Sequence, residues 1–136
     1  MAGYSGRPLS AKLGIKAGHR VLTIGAPPSY RRLVSPLPSK ATVGVDRVKA
    51  PDLVHLFTRQ RSTLVAELTR LRTAIPETST VWVSWPKKAS GVTTDITEDV
   101  IREVALPMGW VDIKVCAVDE VWSGLKLVIR RSERRA

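Results

Sequence analysis

The sequence predicts an α/β fold in three layers, with helices on both faces of a mostly parallel sheet that closes in an antiparallel C-terminal hairpin. Three observations carry this. Short apolar, β-branched runs recur along the chain between Gly- and Pro-rich breaks. Two segments of helical period separate the later runs. The last two runs are joined by a connection too short for a parallel crossover, so they pair antiparallel.

The elements follow in order. Arg20–Ala26 (RVLTIGA) leaves the Gly18-His19 turn as a buried strand and exits at Gly25 and Pro27-Pro28. Pro36 and Pro38 break the chain again, so only a short helical turn fits at Tyr30–Val34. Ala41–Val45 reads as the second strand, and Asp52–Thr58, opened by Pro51, as the third. From Gln60 to Ile75, Leu64, Leu68, Leu71 and Ile75 fall on one helical stripe, while Arg61, Glu67, Arg70 and Arg72 take the wet faces. Pro76 ends that helix, and Ser79–Trp85 is the fourth strand. Lys87–Thr94 is a polar loop. Asp95 stands three residues before Glu98 in capping-box spacing, ahead of a helix whose apolar face is Ile96, Val100, Ile101 and Val104. Trp110–Val118 and Leu125–Arg131 are the closing strands, connected by Asp119–Gly124.

Length and composition fit one domain. The chain has 136 residues, 43% of them hydrophobic and 25% charged, enough for a buried core and unlike a disordered chain. It is read as a single Rossmann-like domain over 1–136, with a lead-in segment at 1–19 and a basic tail at 132–136. No run has the apolar length of a signal peptide core or a membrane span. The single cysteine, Cys116, excludes an internal disulfide and fits a reducing compartment, so a cytoplasmic location is expected. Net charge is +10, from 22 basic against 12 acidic residues. Residues 1–40 carry Arg7, Lys12, Lys16, Arg20, Arg31, Arg32 and Lys40 and no acid, and the chain ends in Arg130, Arg131, Arg134 and Arg135. Such a field attracts polyanions.

Ligands of Rossmann-like sheets bind outside the C-terminal strand ends, near a topological switch point. Four segments should meet there. The first, Ile24–Ser29, holds Gly25 where a cofactor loop would stand. Other glycines are missing, and Pro27 and Pro28 remove N–H donors, so a plain strand-exit turn competes with cofactor binding. The second holds Asp46, at the distance past Gly25 where a ribose-binding acid belongs; pairing with Arg47 is the plainer reading. The third, Ser84–Asp95, carries Lys87, Lys88 and Ser90 ahead of a helix N-terminus, a combination that suits an anion but lacks P-loop spacing. The fourth, Asp119–Gly124, offers Asp119 and Glu120 as salt-bridge partners for Lys87 or Lys88, and Trp122 as a roof over the site.

Other chemistry fails. His19 and His55 have no Cys or carboxylate at metal-ligand spacing, so no metal is expected. Cys116 lies in an apolar strand and reads as packing. No G-x-S-x-G elbow is present, and no catalytic residue is assigned.

Two resemblances add to this. The opening Leu13-Gly14-Ile15-Lys16-Ala17-Gly18-His19-Arg20-Val21-Leu22, which leads to Gly25, resembles the entry to the first strand of Rossmann-type methyltransferases. The closing helix, strand and antiparallel strand resemble their ending. Separately, Ala2–Gly6, Lys12–Ile15, Gly25–Pro27, Trp85–Gly91 and Val115–Leu125 resemble a bacterial family known only as a domain of unknown function. That second resemblance implies a small cytosolic bacterial protein and brings no activity or ligand.

With the glycine loop degraded and a chemically dense edge retained, the residues favour a non-enzymatic binding or regulatory domain. It would need no cofactor and would hold a protein partner or small anion at Lys87, Lys88, Ser90, Asp119, Glu120 and Trp122. The alternative is a divergent enzyme using adenosylmethionine or a nucleotide, with Gly25 and Asp46 at the cofactor. A second alternative is nucleic-acid binding through the basic N-terminal region and tail.

Overall fold

A computed structural model describes residues 7–134. Ala2–Gly6, part of the second resemblance, and Arg135 of the basic tail lie outside the described residues. The strands are β1 (Arg20–Ile24), β2 (Thr42–Val45), β3 (Leu53–Phe57), β4 (Thr80–Pro86), β5 (Trp110–Ala117) and β6 (Trp122–Ile129). The α-helices are α1 (Leu9–Leu13), α2 (Tyr30–Leu33), α3 (Arg61–Ala74) and α4 (Glu98–Ala105). The six strands form one sheet in the order β2-β1-β3-β4-β6-β5. β1 to β4 are parallel neighbours, and β6 runs antiparallel to both β4 and β5. The fold is the Rossmann-like α/β arrangement read from the sequence, a mostly parallel sheet with an antiparallel closing hairpin.

Burial explains which runs became strands. β3 is buried at every position and β4 at all but its first residue, which suits central strands covered on both faces. One core layer joins the sheet to α3 and α4 through Leu64, Leu68, Leu71, Ile101 and Val104. The other joins it to α1 and α2 through Leu13, Ile15, Tyr30 and Val34. The lead-in segment is therefore part of the core: Leu13 is fully buried.

Two local expectations are corrected. Asp95 does not cap the helix that follows it. Thr97 is the N-cap of α4, its side chain accepting from the Val100 N–H at 3.2 Å, and Glu98 and Asp99 occupy the first turn. Asp95 instead accepts from the Arg61 N–H at 2.7 Å, the first residue of α3. The closing hairpin is also tighter than Asp119–Gly124 implied. The Asp119 carboxylate accepts from both the Val121 and Trp122 N–H groups at 2.8 Å, which folds the turn and starts β6 at Trp122.

Candidate functional site

The chain runs from β1 outward to β2, then crosses to β3 on the other side of β1. The crevice between the carboxyl ends of β1 and β3 is thus the topological switch point. Gly25 sits in it. Its φ is +70°, and a Cβ there would stand 2.5 Å from the Phe57 carbonyl oxygen. A glycine is needed because the backbone turns left-handed while pressed against β3. The strand-exit role is complete without a ligand, yet the same bareness leaves the strand end open to one.

Asp46 follows the end of β2. The parallel register pairs Thr23 with Val45, so Asp46 lies beside the carboxyl end of β1. It is exposed and left-handed, with φ +63°, and its N–H donates to the Thr23 carbonyl at 3.2 Å. Gly25 and Asp46 share a cavity of about 450 Å³ that also takes in Pro27, Tyr30 and Arg31. Arg31 donates to the Val43 carbonyl at 2.7 Å, which holds its guanidinium at the cavity wall. The pairing of Asp46 with Arg47 is not among the described ion pairs.

On the other side of Gly25 a second cavity of about 550 Å³ is lined by Phe57, Thr58, Arg59, Gln60, Val92 and Trp122. The Phe57 and Trp122 rings meet edge to face, 5.1 Å between centroids, and form its apolar wall. The loop after β3, Thr58-Arg59-Gln60, was missed in the sequence. Linear order does not show that β3 lies next to β1. The signal available was only that the strand read at Asp52–Thr58 runs straight into the polar residues Arg59 and Gln60.

The remaining candidates divide. Lys87 donates its backbone N–H to the Val121 carbonyl at 2.7 Å, so the lysine loop and the hairpin turn do meet. The expected salt bridge between Lys87 or Lys88 and Asp119 or Glu120 is not formed among the described residues. Asp119 is spent on its own turn. Lys88 and Glu120 point to solvent. Ser90 donates to the Lys87 carbonyl and accepts from the Val92 N–H, shaping a short 3₁₀ turn over Lys88–Ser90. The helix N-terminus that would help the lysines attract an anion already carries Glu98 and Asp99.

Beneath the first cavity lies a network absent from the sequence reading. His55, fully buried in β3, places Nδ1 2.9 Å from the Tyr30 hydroxyl and Nε2 2.7 Å from the Ser84 hydroxyl. Burial pushes the His55 pKa down to about 3 and the Tyr30 pKa up. The imidazole is neutral and both its nitrogens are engaged. His19 accepts from the Lys16 N–H in a turn. Burial raises the Cys116 thiol pKa, which keeps it protonated near neutrality. Among the described residues no group of three or more His, Cys, Asp or Glu could hold a metal ion, and no helix is long and apolar enough to cross a membrane.

Comparison with solved structures shows the fold plainly. The chain is similar to a SAM-dependent methyltransferase from Aquifex aeolicus (TM-score 0.66, 12% identity, 89% of this chain and 87% of that one). It is similar to a putative type 11 methyltransferase from Sulfolobus solfataricus (TM-score 0.65, 10% identity, 94% and 93%). It also resembles Aeropyrum pernix fibrillarin in complex with S-adenosyl-L-methionine (TM-score 0.51, 14% identity, 85% and 69%). The sequence matches no family model and no curated protein. Of the two resemblances in the sequence, the methyltransferase scaffold is the one these comparisons support.

Proposed function

We propose that the protein binds adenosylmethionine, or its demethylated product, across the carboxyl strand edge and is a small methyltransferase-type enzyme. The observation that carries this is the placement of Gly25 and Asp46 on adjacent strand ends in one cavity at the switch point. The similarity in fold to adenosylmethionine-dependent enzymes supports it and favours it over a domain without a cofactor.

The residues present fit such a ligand. Both cavities fall in the range of small-molecule sites, roughly 300–1,000 Å³. Asp46 offers an unpaired carboxylate to ribose hydroxyls. Gly25 lets the ligand approach the backbone, and Phe57 with Trp122 supplies an apolar wall that excludes water. Pro27 and Pro28 cost N–H donors, so the charged acceptor at Asp46 carries more of the recognition. Bound there, adenosylmethionine supplies a methyl group already activated on sulfonium sulfur. The protein's part is therefore to hold and orient rather than to provide a nucleophile, and the lack of a catalytic triad is no obstacle. Arg59 and Gln60, exposed beside the second cavity, are placed to position an acceptor.

Calorimetric titration tests this. Wild-type protein should release heat with adenosylmethionine and with its demethylated product. Asp46→Asn keeps the left-handed backbone, which Asn tolerates, but removes the charge. It should weaken binding by about 1.5–3 kcal/mol, the usual worth of a charge-assisted hydrogen bond. No heat at millimolar ligand, or equal affinity in Asp46→Asn, would sink the proposal.

A further inference from the structure

The sheet face covered by α1 and α2 carries lysines at its hairpin end, where Lys114 is exposed and Lys126 is half-buried. Trp82 and Lys126 are register partners between β4 and β6, and Trp82 packs with Leu13 of α1, which places Lys126 on this face. Lys114 of β5 stands directly opposite Lys126. Like charges in that position destabilise a strand pair. A methyl group added at Gly14 would lie 4.0 Å from the Lys126 ammonium, so that ammonium sits against the turn that ends α1. Lys16, two residues past that turn, and Lys12, within α1, extend the same positive field. Burial, then the charges of Lys114 and Lys16, lowers the Lys126 pKa, and Lys12 and Lys114 both act on the Cys116 thiol between them. Among the described residues no ion pair involves Lys16, Lys114 or Lys126.

Repulsion among Lys16, Lys114 and Lys126 is costly to the fold, and no described ion pair offsets it. A counter-charge from outside would relieve it. The lysines run across the edge strand β5, its neighbour β6 and the turn at Gly14, and a line of charges of this kind suits an extended anion over a compact one. Trp122 lies on the same face of β6, four residues from Lys126 and so about 13 Å along the strand. A cationic track with an aromatic ring at its end is the combination that holds single-stranded nucleic acid. The overall charge of +10 would steer such a polyanion toward the protein.

We infer that the α1 side of the β5–β6 hairpin is a single-strand nucleic-acid surface, with phosphates on Lys16, Lys114 and Lys126. The three lysines take no part in the proposed adenosylmethionine site, although Trp122 borders both. The surface differs in place from the N-terminal region and arginine tail that the sequence suggested, because it puts two of its three lysines on the closing hairpin.

The test is fluorescence anisotropy with a labelled single-stranded RNA of roughly 20 nucleotides, long enough for one site. Wild-type affinity should fall with salt between about 50 and about 200 mM, with a log–log slope of about −0.7 per neutralised phosphate. The Lys16→Gln/Lys114→Gln/Lys126→Gln variant should lose about tenfold or more and show a slope shallower by about 2, three phosphates' worth. A charge-matched control, Lys40→Gln/Arg130→Gln/Arg131→Gln, should stay within about threefold of wild type, because it lowers net charge equally without touching the cluster. Lys114→Gln alone, on an exposed strand position, should flatten the slope by about 0.7 and guards against misfolding of the triple variant. Equal losses in the triple variant and the control, or an unchanged slope in Lys114→Gln, would overturn the inference. So would absence of binding by the wild type.

Discussion

At the scale of single residues, His55 shows how burial fixes a protonation state. Its ring lies between the Tyr30 and Ser84 hydroxyls and stacks on Phe57 at 4.2 Å between centroids. With its folded pKa pushed down to about 3, it stays neutral in the native protein while the unfolded chain titrates near 6.5. The unfolded state therefore binds more protons below pH 6.5. Stability is fully present above that pH and falls as pH is lowered toward 3, at up to about 1.4 kcal/mol per pH unit. Urea unfolding at pH 7 and pH 5 should show wild type losing about 2 kcal/mol between them, beyond what His55→Gln loses. Parallel pH dependence in the two proteins would contradict the assignment. The residues flanking this network were legible as an apolar strand, but its hydroxyl partners come from residues 25 before and 29 after His55. No local pattern connects them.

Asp95 marks the limit of local reading at the scale of elements. Three-residue spacing to Glu98 suggested a capping box, yet Thr97 caps α4 and Asp95 caps α3 across a separation of 34 residues. Thr94 adds a second tie, its hydroxyl donating to the Arg59 carbonyl at 2.7 Å. The loop after β4 is thus fastened to the loop after β3, and these two loops border the second cavity. Asp95→Ala should cost about 1 kcal/mol, the usual worth of a lost cap. It should also expose the first-turn amides of α3 in hydrogen exchange while leaving those of α4 protected. Thr97→Ala should do the reverse at similar cost. Exposure of α4 amides in Asp95→Ala would show that the local capping box is the working one after all.

The whole molecule carries +10 net charge, and the described ion pairs gather around Arg70, Arg72 and Arg102. Arg102 alone reaches Glu98, Asp99 and Asp112 and ties α4 to β5. Self-repulsion among the remaining cations opposes compaction, and salt screens it. The Tm should therefore rise by a few degrees between low and about 0.5 M ionic strength. A Tm that falls with salt would mean that the ion pairs outweigh the repulsion.

The amino-acid sequence by itself determined the strands, the long helix, the closing hairpin and hence the fold class. Those follow from hydrophobic period and from Gly and Pro breaks, which act over a few residues. It also brought Gly25 and Asp46 to notice through their spacing. Tertiary structure alone decided which loops face one another. It set Thr58–Gln60 beside Gly25, turned Asp119 inward to its own hairpin instead of toward the lysines, and stacked Lys114 on Lys126 beside the turn at Gly14. The reason is strand order. The chain crosses from β2 over β1 to β3, and inserts β6 between β4 and β5, so neighbours at the carboxyl edge are distant in sequence.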